Sequence, residues 1–462
     1  MKFSSAVFLL IIVITIFSSC RKDKITTSAL DKLSFTTDTL TFDTVFTTLG
    51  SATRYFKILN KHSKSINISS IRLGGGQASQ FRLNVDGIPT KTELNNLVIA
   101  PHDSMWVFAA VTIDPNNLNN PFVVEDSVIF ETNGNEQKVM LQAYGQNAHF
   151  YRDSVICNEV WNNDKPYVII NSILVNTGCS LTINPGCRIF NHAGSQIYVA
   201  GTMKVLGVPG DSVVFRGDRL ENYFVDLPGN WGGIHFLKFS HDNEIYNTVI
   251  KEAIVGVRVD SLSTNANPKL ILKQDKINYC LSAGILGITS TIAAENCLVI
   301  NCGENNLQLE LGGNNIFTNC TFADYSNIVI NHQKSTLRAS NYLDLGSVIL
   351  LADLNTTFTN CIIYGGNTEE EMDLDTSTSG LVSYNLLFDH CFLKTKTPVT
   401  GAAFPGSINN SDPLFNDISK DDYHLSSSSP CKDAGIVIAG INTDLDNYLR
   451  DALPDVGCYE FH

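Results

Sequence analysis

The sequence predicts an all-β chain in which a parallel β-helix solenoid follows a smaller β-sandwich, and three patterns predict it. Between Leu181 and Phe215 apolar residues come in pairs two apart: Leu181/Ile183, Cys187/Ile189, Ile197/Val199, Met203/Val205 and Val213/Phe215. Residues two apart on a strand share a face, so each pair marks a short strand with two inward side chains. The first members step by 6, 10, 6 and 10, a 16-residue period held for two rounds. Pro185-Gly186, Ala193-Gly194, Ala200-Gly201 and Pro209-Gly210 fall between the pairs, where the chain must turn. Further on, Phe317-Thr318-Asn319-Cys320-Thr321-Phe322 is nearly repeated by Phe358-Thr359-Asn360-Cys361-Ile362-Ile363, and loosely by Phe388-Asp389-His390-Cys391-Phe392-Leu393. Short strands at a regular period with glycine-marked turns are the pattern of a solenoid. Ahead of them, from Leu33 to Ala148, apolar and polar residues alternate with turns every ten or so residues.

Composition bounds the function. Among 462 residues 44 % are hydrophobic, ample for a core, and 17 % are charged. The net charge of −14 and the lack of any Lys/Arg run argue against nucleic acid as a partner, because phosphate neutralisation needs a clustered basic surface.

Met1 to Cys20 reads as a processing signal rather than structure. Lys2 supplies the positive start, and Ala6 to Phe17 is an apolar run of 12 residues. A membrane span needs about 20. Phe17-Ser18-Ser19-Cys20 then places small residues before a cysteine. This resembles the lipobox of bacterial lipoproteins, with Phe17 departing from the usual Leu-like residue. The resemblance implies lipid attachment at Cys20 and a chain held on a membrane of the bacterial cell envelope. An ordinary secretory signal with an incidental cysteine is the other reading. Residues 21–32 read as a tether.

The segment 33–148 contains about eight short strands, with Gly74-Gly75-Gly76, Asp86-Gly87 and Asn133-Gly134 between them. Asn-Gly between two apolar runs marks a hairpin. The pattern predicts an antiparallel sandwich of immunoglobulin type, without the Cys-Trp-Cys arrangement of antibody domains. Asp43-Thr44-Val45-Phe46, Asn60, Ile99-Ala100-Pro101 and Thr112-Ile113-Asp114-Pro115 resemble, in order, the immunoglobulin-like domains ahead of repeat regions in exported bacterial proteins. That reading implies a spacer or a binding module.

The solenoid is expected over 151–410. Leu181-Thr182-Ile183-Asn184-Pro185-Gly186, Ile197-Tyr198-Val199-Ala200-Gly201 and Trp231-Gly232-Gly233-Ile234 resemble the opening coils of right-handed parallel β-helix proteins of the pectate-lyase-like class. A loop, Gly217 to Asn230, interrupts them. Cys280, Cys297, Cys320, Cys361 and Cys391 are expected to stack as one buried column at about 4.8 Å per coil. The asparagines before them are expected to bond one another as an amide ladder. Twelve cysteines less Cys20 leave eleven, which cannot all pair, and neither CxxC nor a recurring histidine points to a metal.

The residues 411–462 are expected to close the last coil, whose open edge would otherwise template aggregation. Ser411-Asp412-Pro413-Leu414-Phe415, Ser429-Pro430-Cys431-Lys432-Asp433-Ala434-Gly435 and Pro454-Asp455-Val456-Gly457-Cys458-Tyr459-Glu460 resemble the closing region of exported bacterial β-helix proteins, often described as surface-anchoring. That family has small residues where Cys431 and Cys458 stand. The paired departure implies that the two touch and form a disulfide. Asp444, Asp446 and Asp455 admit a calcium reading, against an Arg450-centred ion-pair and turn network.

No residue is assigned to catalysis, to a cofactor or to a metal. The Asn-Thr-Asp and Gly-His-Gly steps of polygalacturonase-like enzymes are absent. Lys251 and Arg258, with His235, are the best candidates for a base, although such residues on an exposed strand are ordinarily solvating. Three functions stay open: a monomeric, lipid-anchored envelope protein whose β-helix binds a polysaccharide or another envelope component; a polysaccharide lyase or hydrolase acting on the solenoid face; and a structural spacer.

Overall fold

The structure, a computed structural model, describes residues 24–462 apart from 117, 120, 368 and 378. The expected signal segment 1–20 and the expected attachment site Cys20 lie outside the described residues. The chain divides into two compact units, Met1–Asn147 and Ala148–His462.

The first unit is a two-sheet sandwich. One sheet joins Ile25–Thr26, Ser65–Leu73, Phe122–Thr132, Asn135–Gln146 and Thr39–Phe46, with Glu93–Ile99 beside Ser65–Leu73. The other joins Ser34–Phe35, Arg54–Leu59, Ser104–Val111, Phe81–Val85 and Ile88–Thr90. Phe56, Ile58, Phe81, Val107, Phe130 and Leu141 meet between them. Asn133 and Gly134 both take positive φ (49° and 78°) and turn Thr132 onto Asn135, as the Asn-Gly hairpin requires. The sandwich is not purely antiparallel, because Thr39–Phe46 runs parallel to Asn135–Gln146. Nor is all of 21–32 a tether: Ile25 and Thr26 pair in parallel with Ser65 and Ile66, occupying a sheet edge that would otherwise be open.

The second unit is a parallel β-helix with three sheets. Sheet A stacks Arg188–Asn191, Val213–Gly217, Thr248–Lys251, Lys276–Cys280, Leu298–Cys302, Thr321–Asp324, Ile362–Gly365 and Phe392–Leu393. Sheet B stacks Gln196–Val199, Ile234–Phe236, Val255–Asp260, Ala283–Ser290, the first half of Asn305–Thr318, Leu337–Ser340 and Met372–Asp375. Sheet C stacks Ser180–Ile183, Thr202–Leu206, Asn243–Tyr246, Leu270–Lys273, Ile292–Glu295, the second half of Asn305–Thr318, Leu354–Thr359 and Tyr384–Asp389. The inward pairs fill the cylinder as expected, and all ten residues of the Leu181–Phe215 pairs are buried.

The 16-residue period is not the coil. Leu181 sits beside Met203, 22 residues on (203 − 181), whereas Ile197 belongs to sheet B and Val213 to sheet A. Two alternating turn lengths produce the 6 and 10 steps, while the strands come in threes. At Gly233 (φ 108°) a side chain is excluded, because a Cβ would fall 1.6 Å from the Val255 carbonyl oxygen. Trp231 is fully buried beside it and donates from Nε1 to the Lys251 carbonyl at 2.9 Å.

The cysteines form two columns. Cys297, Cys320, Cys361 and Cys391 stack thiol on thiol where sheet A strands begin, over the buried Asp275 one coil earlier. Cys280 belongs elsewhere, in register with Cys302 where the strands end. Both turns use a left-handed residue before the cysteine, Asn296 and Asn319 in one, Tyr279 and Asn301 in the other, so sequence alone does not separate them. Their amides do not bond one another up the stack. Asn296 donates to the Thr443 carbonyl at 2.8 Å and Asn360 to that of Ile436 at 2.7 Å, both in the C-terminal segment.

That segment does not close the last coil. It lies along the outer face of sheet A, where Tyr423 and Tyr459 cover Leu298 and Ile300, and Val456 and Cys431 cover Ile362 and Phe392. The reason lies in strands such as Leu298-Val299-Ile300, apolar on both faces and so buried on both. The last coil is covered instead by Val399 and Phe404, the latter stacked 5.4 Å from Phe388. Cys431 and Cys458 are free buried thiols in separate apolar clusters, so the disulfide expected between them is absent. The disulfide present joins Cys157 and Cys179, clamping the entry to the first coils.

Candidate functional site

Of the three sequence candidates, two come together. His235 and Arg258 are register neighbours on the outer face of sheet B, and both bond Asp260: His235 Nε2 at 2.8 Å and Arg258 Nε at 2.9 Å. Burial raises the Asp260 carboxyl, but the bonds from His235 and Arg258 outweigh it and leave it below its ordinary range. Lys251 belongs to sheet A, where it pairs with Asp226 at 2.6 Å. It ties down the inserted loop together with the fully buried Glu252, which accepts from the backbone of Gly217 and Asp226. The trio is therefore not a shared base.

The polar residues converge further along sheet B. Its outward positions run in register through Tyr198, His235, Arg258, Leu286, Gln308, Arg338 and Asp373. Around the last three lies a cleft of about 550 Å³, walled by Lys334 and Ser335 on one loop, Asn367 and Glu370 on the next, and Lys396 beyond. Arg338 is its centre. Its Nε donates to Glu310 at 2.6 Å, its Nη1 to Asp373, and its Nη2 lies 3.8 Å from Asp375. Burial alone would lower the guanidinium pKa, but Glu310 and Asp373 raise it overall. Gln308 also donates to Glu310 at 3.0 Å, and the Tyr342 hydroxyl to Asp375 at 2.6 Å. At the rim Lys334 pairs with Glu304 at 2.9 Å, and Lys396 pairs with Glu369.

A buried clamp sets the walls. His332 lies beneath the loop 325–336, its Nε2 2.9 Å from Glu371 and its Nδ1 3.5 Å from Asp324. Burial lowers its pKa, but the bonds and charges of Asp324 and Glu371 win and push the imidazole up to about 9. Glu371 also accepts from the backbone of Thr336 and Asn367, so one carboxylate holds both cleft walls. Burial raises the Asp324 carboxyl despite His332.

The sequence reading missed Arg338, Glu310, Asp373 and Asp375. The available signal was the Met372-Asp373-Leu374-Asp375 alternation, which puts two carboxylates on one strand face. Of the acids that admitted a calcium reading, Asp444 accepts from the backbone of Asp446, Tyr448 and Glu460, Asp455 accepts from that of Asp433 and Phe461, and Asp446 pairs with His424 at 2.9 Å. Arg450 joins them, donating to Glu460, Asn296 and the Asp455 and Gly457 carbonyls.

No protein-family model matches the sequence, and no curated protein does. Solved structures similar to parts of it include the catalytic unit of a GH87 α-1,3-glucanase from Streptomyces thermodiastaticus, at 10 % identity and a TM-score of 0.29, covering 73 % of this chain and 72 % of that one. A PapD-like domain of human CEP192 matches at 10 % identity and a TM-score of 0.18, over 28 % of this chain and 91 % of its own. A family 123 glycoside hydrolase from Clostridium perfringens matches at 9 % identity and a TM-score of 0.20, over 29 % of this chain and 30 % of its own. Likeness at these levels assigns neither activity nor substrate.

Proposed function

We propose that the protein is a lipid-anchored component of a bacterial cell envelope whose solenoid binds a polysaccharide along the sheet B cleft without cleaving it. The observation that carries this reading is how the cleft acids are partnered. A hydrolase needs one carboxyl that keeps its proton and a second that acts as base or nucleophile. Glu310, Asp373 and Asp375 instead converge on one guanidinium, an arrangement for holding charge and for presenting alternating donors and acceptors to sugar hydroxyls. Hydrolysis is the second reading, favoured by the gathering of three carboxylates on one sheet face.

A glycan array with the purified chain is expected to return a bound polysaccharide. Arg338→Ala should weaken that binding by about tenfold or more, the loss expected of a charge-assisted hydrogen-bond centre. Reducing ends and unsaturated products should both stay at background. Product that disappears in Asp373→Asn would establish the hydrolase instead, and an array with no bound glycan would leave the spacer. For the anchor, Cys20→Ala should move the protein from the membrane to the soluble fraction.

A further inference from the structure

The sandwich carries an aromatic face that its fold does not use. In the sheet containing Arg54–Leu59 and Ser104–Val111, Phe56, Ile58, Met105 and Val107 point into the core. Tyr55, Lys57, Trp106 and Phe108 point outward, with Tyr55 opposite Phe108 and Lys57 opposite Trp106. The Trp106 and Phe108 rings lie nearly parallel, 17° apart with centroids 6.0 Å apart, and Tyr55 meets Trp106 edge-on at 4.9 Å. Tyr55 is 57 % exposed and Trp106 36 %. Such rings would ordinarily be buried, at about 25 cal/mol for each Å² removed from water, so a continuous exposed group of them marks a contact surface.

Charge narrows the occupant. The Lys57 ammonium lies 4.0 Å from the Trp106 centroid. Arg82 stands on the neighbouring strand, beside Ala110, and bonds Thr112 Oγ1 at 3.1 Å. Among the described residues neither cation has a carboxylate partner, whereas Arg54 on the same strand pairs with Asp43. Lys57 and Arg82 therefore put two cations without a carboxylate partner on the same sheet face as the three rings.

We propose that this face binds an acidic polysaccharide, with pyranose C–H faces against the rings and carboxylate or sulfate groups at Lys57 and Arg82. A neutral glycan would leave both cations without a role. The Asn84 amide, in register with Phe108, adds a hydrogen-bonding group to the same surface. This site lies within the sandwich and is independent of the solenoid cleft.

Tryptophan fluorescence of the full chain reads it selectively, since Trp161 and Trp231 are buried at 1 % and 0 % exposure. Polygalacturonate should protect Trp106 from acrylamide quenching, and a neutral glucan should not. Lys57→Glu should weaken the protection by about tenfold with an unchanged thermal midpoint, and Lys57→Gln by less. Retention of Trp106→Ala in polygalacturonate affinity gels should be lost. The Trp106 protection should be the same in Arg338→Ala, because that signal comes from the sandwich alone, so failure of the cleft reading and failure of this one are distinguishable. Equal protection by the neutral glucan, indifference to Lys57→Glu, or protection that rises with protein concentration alone, as a second copy would give, would each overturn the proposal.

Discussion

His332 and Glu371, 39 residues apart, form a buried ion pair of 2.9 Å under the walls of the sheet B cleft. Its pH dependence follows from the sign of the shift. The imidazole is raised from 6.5 to about 9, so its contribution is complete below about pH 6.5 and is lost as pH climbs through 9. A shift of that size corresponds to about 3 kcal/mol. Lys269, held by the Lys238 and Asp260 carbonyls and pushed down from 10.5 to about 8 by burial, acts higher, between pH 8 and 10.5, and with the opposite sign. The quantity to measure is therefore the difference in thermal midpoint between the parent and His332→Gln from pH 6 to 10. It should be large at pH 6, shrink as pH rises from 6.5 and be gone above about 9. A constant difference would show that His332 carries no charge-dependent stability.

The Asn360 amide and Ile436 exchange two hydrogen bonds, at 2.7 and 3.0 Å, while Asn360 itself holds φ 53°. Asn360→Ala loses the bonds and places an alanine in a left-handed turn, for about 2–4 kcal/mol together. Asn360→Gly loses only the bonds and should cost roughly half as much. Chemical denaturation separates the two. Limited proteolysis should cut the C-terminal segment first in both variants.

Among the described residues nine free cysteines are buried, and burial raises the thiols of Cys297, Cys302, Cys320, Cys361, Cys431 and Cys458. A thiol-reactive chromogenic reagent should therefore find none of the nine in the native chain and all of them after unfolding. Reduction should add the mass of the hydrogens of one disulfide, from Cys157–Cys179. A second disulfide would restore the Cys431–Cys458 pairing.

Gly233→Ala should prevent folding of the coil it opens. A Cβ 1.6 Å from a carbonyl cannot be relieved by a side-chain rotation, because the obstacle is backbone of the next coil. The expected loss is above about 3 kcal/mol, read as missing soluble expression or a collapsed thermal midpoint. A variant of parent-like stability would show that the Trp231–Phe236 turn adjusts freely.

What the sequence determined by itself was local: inward pairs at period two, glycine and asparagine at turns, the Asn133-Gly134 hairpin and the aromatic stacking positions Phe317, Phe358 and Phe388. These follow from each residue's own φ/ψ preferences and from which neighbours share its strand face. Tertiary structure decided everything set by register between coils. Loops of unequal length separate equivalent strands, so Leu181 meets Met203 rather than a partner 16 residues on, and Cys280 meets Cys302 rather than Cys297. It also decided that the C-terminal segment covers sheet A, because an apolar strand such as Leu298–Ile300 records that both faces are buried but not what buries them. The cleft around Arg338 shows the same limit. Glu310, Arg338 and Asp373 are distant in sequence, and only stacking at one strand spacing makes them neighbours.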